Sequence, residues 1–359
     1  MNNYTLEKIG FTELLKQEAL QYEHLYAARI SSQHKELYKV MGENGELQAK
    51  VSGKMSFNAY DSADYPAVGD WVMIDRNSDE NGIAIIHHLL TRKSKFERKA
   101  AGTANNRQII AANIDVVFIC MALNNDFNLR RLERYLAIAW DSLALPVVVL
   151  TKADLCTDLE KRLAEVSSVA FGVDIIPTSF LTDEGIAELK TLIGEGKTAA
   201  CIGSSGVGKS TLINRIIGQD LLQTSGIRSD DKGRHTTTHR QLLHVPDGGV
   251  IIDTPGMREL QIESADLSSS FADIEEYAKH CRFNDCTHES EPRCAVKEAI
   301  ASGQLTPERL QSYRKLQREL AYQDLKAEQR EKEKINNMYG SMSAMKQISK
   351  QIKRKNQRR

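Results

Sequence analysis

The sequence predicts an α/β nucleotide-binding domain with a small β-barrel before it and a helical, metal-binding segment after it. Three observations predict this. Apolar strand and amphipathic helix patterns alternate from Ile114 to Ile252, the signature of a mostly parallel sheet covered on both faces. Short strand patterns separated by turn residues run from Leu25 to Leu89. Three cysteines and a histidine crowd into Cys281–Cys294.

Within the central region, Gly203-Ser204-Ser205-Gly206-Val207-Gly208-Lys209-Ser210-Thr211 fits the pattern G-x-x-x-x-G-K-[ST]. The apolar run Ala199–Ile202 enters it and the helical pattern Thr211–Ile217 leaves it, the strand–loop–helix context a phosphate-binding loop requires. Glycines let backbone N–H groups close around phosphate oxygens, and the helix N-terminus adds a favourable dipole. Lys209 is expected to reach the β- and γ-phosphates, and the Ser210 hydroxyl to ligate Mg²⁺.

The remaining elements follow in chain order. Residues 1–24 read as a polar extension, a solvated arm with some helical character. Leu25–Ile30, Glu36–Val40, Leu47–Val51, Trp71–Asp75 and Ile83–Leu89 read as strands of a barrel over residues 25–98. An oligonucleotide-binding (OB) type is plausible, although strand spacing alone does not separate it from an SH3-like barrel. Thr91–Arg107 is a basic connector, either a solvated face or a contact for RNA. The nucleotide-binding domain is expected over 99–264, a helical zinc-binding domain over 265–335 with a long helix from Thr306 to about Lys334, and a basic disordered tail over 336–359. Thr306 as N-cap with Pro307 at the first helical position marks that helix start.

Charge and composition constrain the class. The formal net charge is zero, yet Lys334–Arg359 holds eight Lys or Arg and no acidic residue. The basic tail suits a phosphate-bearing partner. Apolar runs such as Val116–Leu123 are far too short to span a bilayer. Six cysteines in a chain of 359 residues do not form a disulfide framework. With no signal-peptide pattern at Met1–Tyr4, the expected setting is a reducing cytoplasm, without membrane attachment.

Two stretches select the base. Thr151-Lys152-Ala153-Asp154 follows strand Leu145–Leu150 and matches a [N/T]-K-x-D guanine motif. The Asp154 carboxylate can accept hydrogen bonds from the guanine N1–H and N2–H₂, a pair that adenine lacks. Lys152 would lie along the purine ring. Thr151 replaces the commoner asparagine and loses an amide that could brace the phosphate loop. Pro177-Thr178-Ser179 matches the short serine motif that holds the guanine O6. Asp253-Thr254-Pro255-Gly256 is a D-x-x-G motif, where Asp253 would hold Mg²⁺ through a water and the Gly256 N–H would touch the γ-phosphate. Among Gly233-Arg234-His235-Thr236-Thr237-Thr238, Thr237 is expected to complete the Mg²⁺ site.

The motif order is permuted. The guanine and serine motifs precede the phosphate loop, so the fold class is a circularly permuted P-loop GTPase domain with an OB-type barrel and an α-helical zinc-binding domain. Met257 stands where many GTPases carry a water-orienting glutamine. Slow intrinsic hydrolysis with a stimulating partner is therefore expected, with His235 or His239 as candidates to orient the attacking water. Cys281, Cys286, His288 and Cys294 give C-x₄-C-x-H-x₅-C, a complete Cys₃His set for one structural zinc.

The barrel, the permuted motifs Thr151–Asp154, Gly203–Thr211 and His235–Thr238, and this zinc spacing together resemble the bacterial ribosome small-subunit-dependent GTPase A family over about residues 25–335. The resemblance implies GTP and GDP as ligands. It also implies hydrolysis stimulated by the small ribosomal subunit, a role late in that subunit's maturation, and rRNA as a partner. A monomer is expected. A different class, a nucleotide-switched rRNA-binding module with incidental hydrolysis, is separated from it by turnover with and without the subunit. An ATP-dependent enzyme is opposed by Asp154.

Overall fold

A computed structural model describes residues 4–34, 36–78, 82–99, 107–222, 240–254 and 267–322. The first strand group is β1 (Tyr26–His34), β2 (Leu37–Gly42), β3 (Gly45–Val51), β4 (Trp71–Ile74) and β5 (Ala84–Leu89). A short helix α2 (Gly53–Asn58) lies between β3 and β4, and α1 (Glu13–Ala19) precedes β1. The strands pair in the order β1-β2-β3-β5-β4, and β4 pairs back onto β1 through Tyr26↔Ile74 to Arg29↔Trp71. The β3–β5 pair is parallel, Ala49 opposite Ala84. That closed five-stranded path is the OB-type barrel, which strand spacing had left open. Alternate residues Ala28, Ile30, Val40, Leu47, Ala49, Val72, Ile74 and Ile86 fill its interior, as the period of two requires.

The basic stretch after the barrel is more than a connector. Strand β6 (Lys95–Lys99) pairs antiparallel with β7 (Arg107–Ala112). Arg92 is tied up structurally: its guanidinium forks onto the fully buried Asp70 at 2.8 and 2.7 Å and reaches the Ala63 and Tyr65 carbonyls. Lys93 pairs with Asp115 at 2.8 Å.

The central sheet contains β8 (Val116–Ala122), β9 (Leu145–Thr151), β10 (Asp174–Pro177), β11 (Thr198–Ile202), β12 (Gln241–His244) and β13 (Val250–Asp253). Its order is β10-β9-β8-β11-β13-β12, parallel except for the hairpin strand β12. Helices α3 (Leu129–Asp141), α4 (Leu159–Ser167), α5 (Ile186–Leu192) and α6 (Lys209–Ile217) connect the strands. Every β8 residue is buried, the continuous apolar run expected of a strand covered on both faces. One face packs Phe118, Val147, Ile213 and Ile251. The other packs Val117, Ile119, Leu136 and Val148, and its cluster continues into Phe271, Ile274, Val296 and Leu316 of the C-terminal helices. Those helices are α7 (Ala272–Ala278), α8 (Ala295–Ala301) and α9, described over 307–322. The continuation of the long helix towards Lys334, and the basic tail, lie outside the described residues. None of the described helices is long and apolar enough to cross a membrane.

The N-terminal segment is not a solvated arm. Ile9 is fully buried, and Phe11 packs on Trp71 with ring centroids 4.7 Å apart. The Glu18 carboxylate accepts from the Thr91 N–H at 3.0 Å, and Lys8 pairs with Glu195 at 2.7 Å. The spaced apolar residues there cover the junction of barrel and sheet, where burial outweighs a polar average composition.

Arg29 of β1 locks the same junction. It is 1 % exposed. Its guanidinium donates to the carbonyls of Ile9, Gly69 and Asn113 and to the Thr198 hydroxyl, the last at 2.9 Å. A buried charge is tolerated when most of its donors are met, here by four hydrogen bonds. Burial still lowers its affinity for the proton, with a pKa of about 10, while Asp115 and Asp70 oppose that shift. A further bridge, Ser32↔Gln241, joins β1 to β12 and makes barrel and central sheet continuous.

Candidate nucleotide and metal sites

The nucleotide motifs all leave the C-terminal ends of neighbouring parallel strands, the crevice where open α/β sheets bind ligands. Thr151–Asp154 follows β9, Thr178-Ser179 follows β10, Gly203–Thr211 follows β11 and Asp253-Thr254 ends β13. The circular permutation leaves this juxtaposition intact because it changes only where the chain is cut.

The loop Gly203–Gly208 is shaped by backbone. Gly203 has φ +144°, and a Cβ there would stand 2.3 Å from the Cys120 carbonyl oxygen. Gly208 has φ +98°, and its Cβ would meet the Phe180 ring at 2.8 Å. Neither position accepts a side chain. Helix α6 begins at Lys209, so its first N–H groups point at the loop. The Lys209 ammonium donates to the Gly203 and Ser204 carbonyls at 2.8 and 2.7 Å, lying along the loop that would hold phosphates.

Thr151 has a role that the sequence reading missed. Its hydroxyl donates to the Val207 carbonyl at 2.6 Å, from a fully buried position. The threonine thus supplies a brace that an asparagine amide could otherwise give. Lys152 adopts a left-handed φ of 61°, and the Ala153 N–H donates to the Thr178 carbonyl at 3.1 Å, tying guanine and serine motifs together. Ser179 is buried and its hydroxyl oxygen accepts from the Leu181 and Thr182 N–H groups at 3.2 and 3.4 Å. Asp154 is exposed.

Asp253 is 3 % exposed, and its Oδ2 has no hydrogen-bond partner among the described residues. Burial pushes its pKa up to about 6, against the pull of Lys209. An orphaned, buried carboxylate oxygen beside the loop lysine fits a hydrated cation. Thr254 donates to the Cys201 carbonyl at 2.5 Å, pinning the start of the D-x-x-G motif to the phosphate-loop strand. His235, Thr236, Thr237, Thr238 and His239 lie outside the described residues, as do Gly256 and Met257.

The four predicted metal ligands come together. The ligand atoms of Cys281, Cys286, His288 and Cys294 all lie within 4.8 Å of one another. The His288 Nδ1 is 3.7 Å from the Cys281 sulfur and 3.4 Å from that of Cys294, and those two sulfurs are 3.9 Å apart. A tetrahedral zinc with bonds of about 2.3 Å to sulfur spaces its thiolates about 3.8 Å apart, so the set fits. His288 and Arg293 take left-handed φ values of 60° and 57°, which fold the ligand loop back on itself. Cys294 is the residue before α8 and Cys281 lies just past α7, so two helices anchor the set.

The fold and its strand-end motifs define a class: a circularly permuted phosphate-loop GTPase with an OB-type barrel and a C-terminal Cys₃His cluster. Residues 89–263 match the model of the RsgA GTPase family. The chain is 51% identical over 350 residues to small ribosomal subunit biogenesis GTPase RsgA 2 of Lactiplantibacillus plantarum, covering 97% of this chain and 99% of that one. The crystal structure of YjeQ from Thermotoga maritima superposes with a TM-score of 0.62 at 28% identity, over 83% of this chain and 99% of that one. YloQ, a circularly permuted GTPase, shares the fold with a TM-score of 0.61 at 23% identity, over 83% and 96% of the two chains. This chain belongs to the RsgA family of small ribosomal subunit biogenesis GTPases.

Proposed function

We propose that this GTPase hydrolyses GTP to GDP and phosphate at the crevice between Asp154 and Asp253 while bound to the small ribosomal subunit, late in that subunit's maturation. The observation that carries the reading is the convergence of guanine motif, serine motif, phosphate loop and orphaned Asp253 on adjacent strand ends. In this reading Asp154 selects guanine, with Lys152 along the ring and Ser179 shaping the pocket. The Gly203–Thr211 backbone and Lys209 hold the phosphates, and the Gly256 N–H meets the γ-phosphate. Ser210, Thr237 and, through a water, Asp253 would hold Mg²⁺, which neutralises charge on the β- and γ-phosphates. His235 is the candidate to orient the attacking water. Cys281, Cys286, His288 and Cys294 would hold one zinc as a structural tie. The barrel and the zinc-bearing helices, with the basic tail, are the surfaces assigned to rRNA, and the protein acts as a cytoplasmic monomer.

The test is turnover of GTP titrated with purified small subunits, large subunits and bare rRNA. Stimulation by small subunits above the other two is expected. Equal turnover in all three would overturn the assignment of the partner. Competition between GDP and ADP for the free protein tests the base: ADP displacing GDP at equal concentration would remove the guanine assignment.

A further inference from the structure

The turn between β8 and α3 carries Asp126, which belongs to none of the nucleotide motifs. Its Oδ2 accepts a hydrogen bond from the Ser204 hydroxyl, the second residue of the phosphate loop, at 2.5 Å. The same carboxylate pairs with Arg131 in the first turn of α3 at 2.9 Å, and Arg131 also donates to the Asp126 carbonyl. The turn itself is held by other groups. The Asn124 side chain accepts from the Asp126 N–H at 3.0 Å, and Asn128 caps α3 by accepting from the Arg131 N–H at 3.0 Å. The carboxylate of Asp126 is therefore spent on the phosphate loop and on α3, and the turn does not need it.

The next residues of α3 are clamped on the C-terminal helices. Glu133 is fully buried and accepts from Arg309 at 2.9 Å and from the Ser312 hydroxyl, both on α9. Arg309 in turn forks onto Asp273 of α7 at 3.1 and 3.0 Å and lies over the Phe271 ring at 4.2 Å. Arg134 makes a two-bonded pair with Glu319 of α9 at 2.7 and 2.6 Å. Arg131 and Arg134 are three residues apart, about 4.5 Å along the axis of one helix. A rigid helical turn thus connects the phosphate loop to the body that carries the Cys₃His cluster.

We propose that Asp126 is a positioning residue that couples the phosphate loop, through Ser204, to α3 and the C-terminal helices docked on it. A shift of those helices moves α3, and α3 moves Asp126 and the loop carbonyls around Lys209. This path does not run through the D-x-x-G motif. It rests on the GTPase reading above.

The experiment uses the full chain and compares Asp126→Asn, Ser204→Ala, the double variant and Arg134→Ala. Release of fluorescent GDP, KM and kcat for GTP with and without small subunits, and melting temperature are measured. Asp126→Asn and Ser204→Ala should each speed GDP release and raise KM by about fivefold, the double variant should be no worse than either single one, and melting should shift by less than about 2 °C. Arg134→Ala should leave basal turnover unchanged and cut stimulation by small subunits about threefold. Multiplying effects in the double variant, or unchanged GDP release in both singles, would overturn the brace. Undiminished stimulation in Arg134→Ala would overturn the coupling. Should Asp126→Asn not fold, Ser204→Ala carries the same test. GDP release needs no hydrolysis, so absent turnover in the unmodified protein would count against the GTPase reading and leave the brace measurable.

Discussion

The phosphate loop and the Cys₃His cluster are two candidate binding sites built on opposite principles. The loop presents backbone, and its shape is imposed from outside by the Cys120 carbonyl, the Phe180 ring and the Thr151 hydroxyl. The cluster presents side chains, and its shape comes from fourteen consecutive residues, Cys281 to Cys294, folded by local turns. The first kind of site fails when a distant support changes. The second fails when one ligand is lost.

The largest effect should come from the cluster. Cys294→Ala should abolish one equivalent of bound zinc and destabilise the C-terminal helices by about 3–5 kcal/mol, lowering their melting temperature by roughly 10 °C. GDP affinity should fall by about threefold or more through the α3–Asp126 connection, and an unchanged GDP affinity would show that the two sites are energetically separate. Metal analysis, calorimetry and GDP titration on the same preparation check this, and retained zinc would break the four-ligand assignment.

Gly203→Ala tests the opposite principle. The methyl group would press on the Cys120 carbonyl from 2.3 Å at a φ of +144°, so the loop must distort. A cost of about 3 kcal/mol, or roughly a hundredfold in GTP affinity, is expected. Binding within threefold of the unmodified chain would show that the loop is not held by its neighbours.

Asp253 gives a pH signature peculiar to the nucleotide site. Its folded pKa, about 6, lies above the ordinary 3.8 because of burial. The folded state therefore holds the proton more tightly than the unfolded one. Stability from this group is greatest below about pH 4 and is lost as pH rises to about 6. Asp253→Asn, which has no proton to lose, should match the unmodified chain near pH 4 and exceed it by about 2–3 kcal/mol at pH 7 without nucleotide. Denaturant titrations across that range check the trend, and a pH-independent gap would exclude Asp253 as its source. The same substitution should weaken Mg²⁺-dependent binding of GTP.

Thr151→Val sharpens the comparison at its finest point. It leaves the Val207 carbonyl without its donor, at about 1–2 kcal/mol, and should weaken GTP binding roughly tenfold with little change in zinc content. Unchanged binding would mean that the hydroxyl only fills space.

The contrast also explains what was readable in the sequence. Cys281, Cys286, His288 and Cys294 were legible because a local site writes itself into spacing. Gly203–Thr211 and the strand alternation were legible because phosphate binding demands glycines and a sheet covered on both faces demands apolar runs. Thr151 was misjudged because its partner, Val207, is 56 residues away and is a backbone carbonyl, which leaves no mark on the sequence. Asp126 escaped notice for the same reason, since its contact with Ser204 crosses 78 residues. The N-terminal segment was mistaken for an arm because its apolar stripe of Leu6, Ile9, Leu14 and Leu15 is narrow and set among polar residues. The long-range junction that Ile9 and Phe11 fill decides their burial.

Arg29 has a consequence for how the chain is made. Its barrel is encoded first, and two of its acceptors, the Ile9 and Gly69 carbonyls, are synthesised with it or soon after. The Thr198 hydroxyl arrives 169 residues later. At ordinary elongation rates of about 5–20 residues per second, that delay is roughly 10–30 s. During that interval the guanidinium has only part of its final shell. The full hydrogen-bond set of the barrel–sheet junction therefore requires the strand that leads into the phosphate loop.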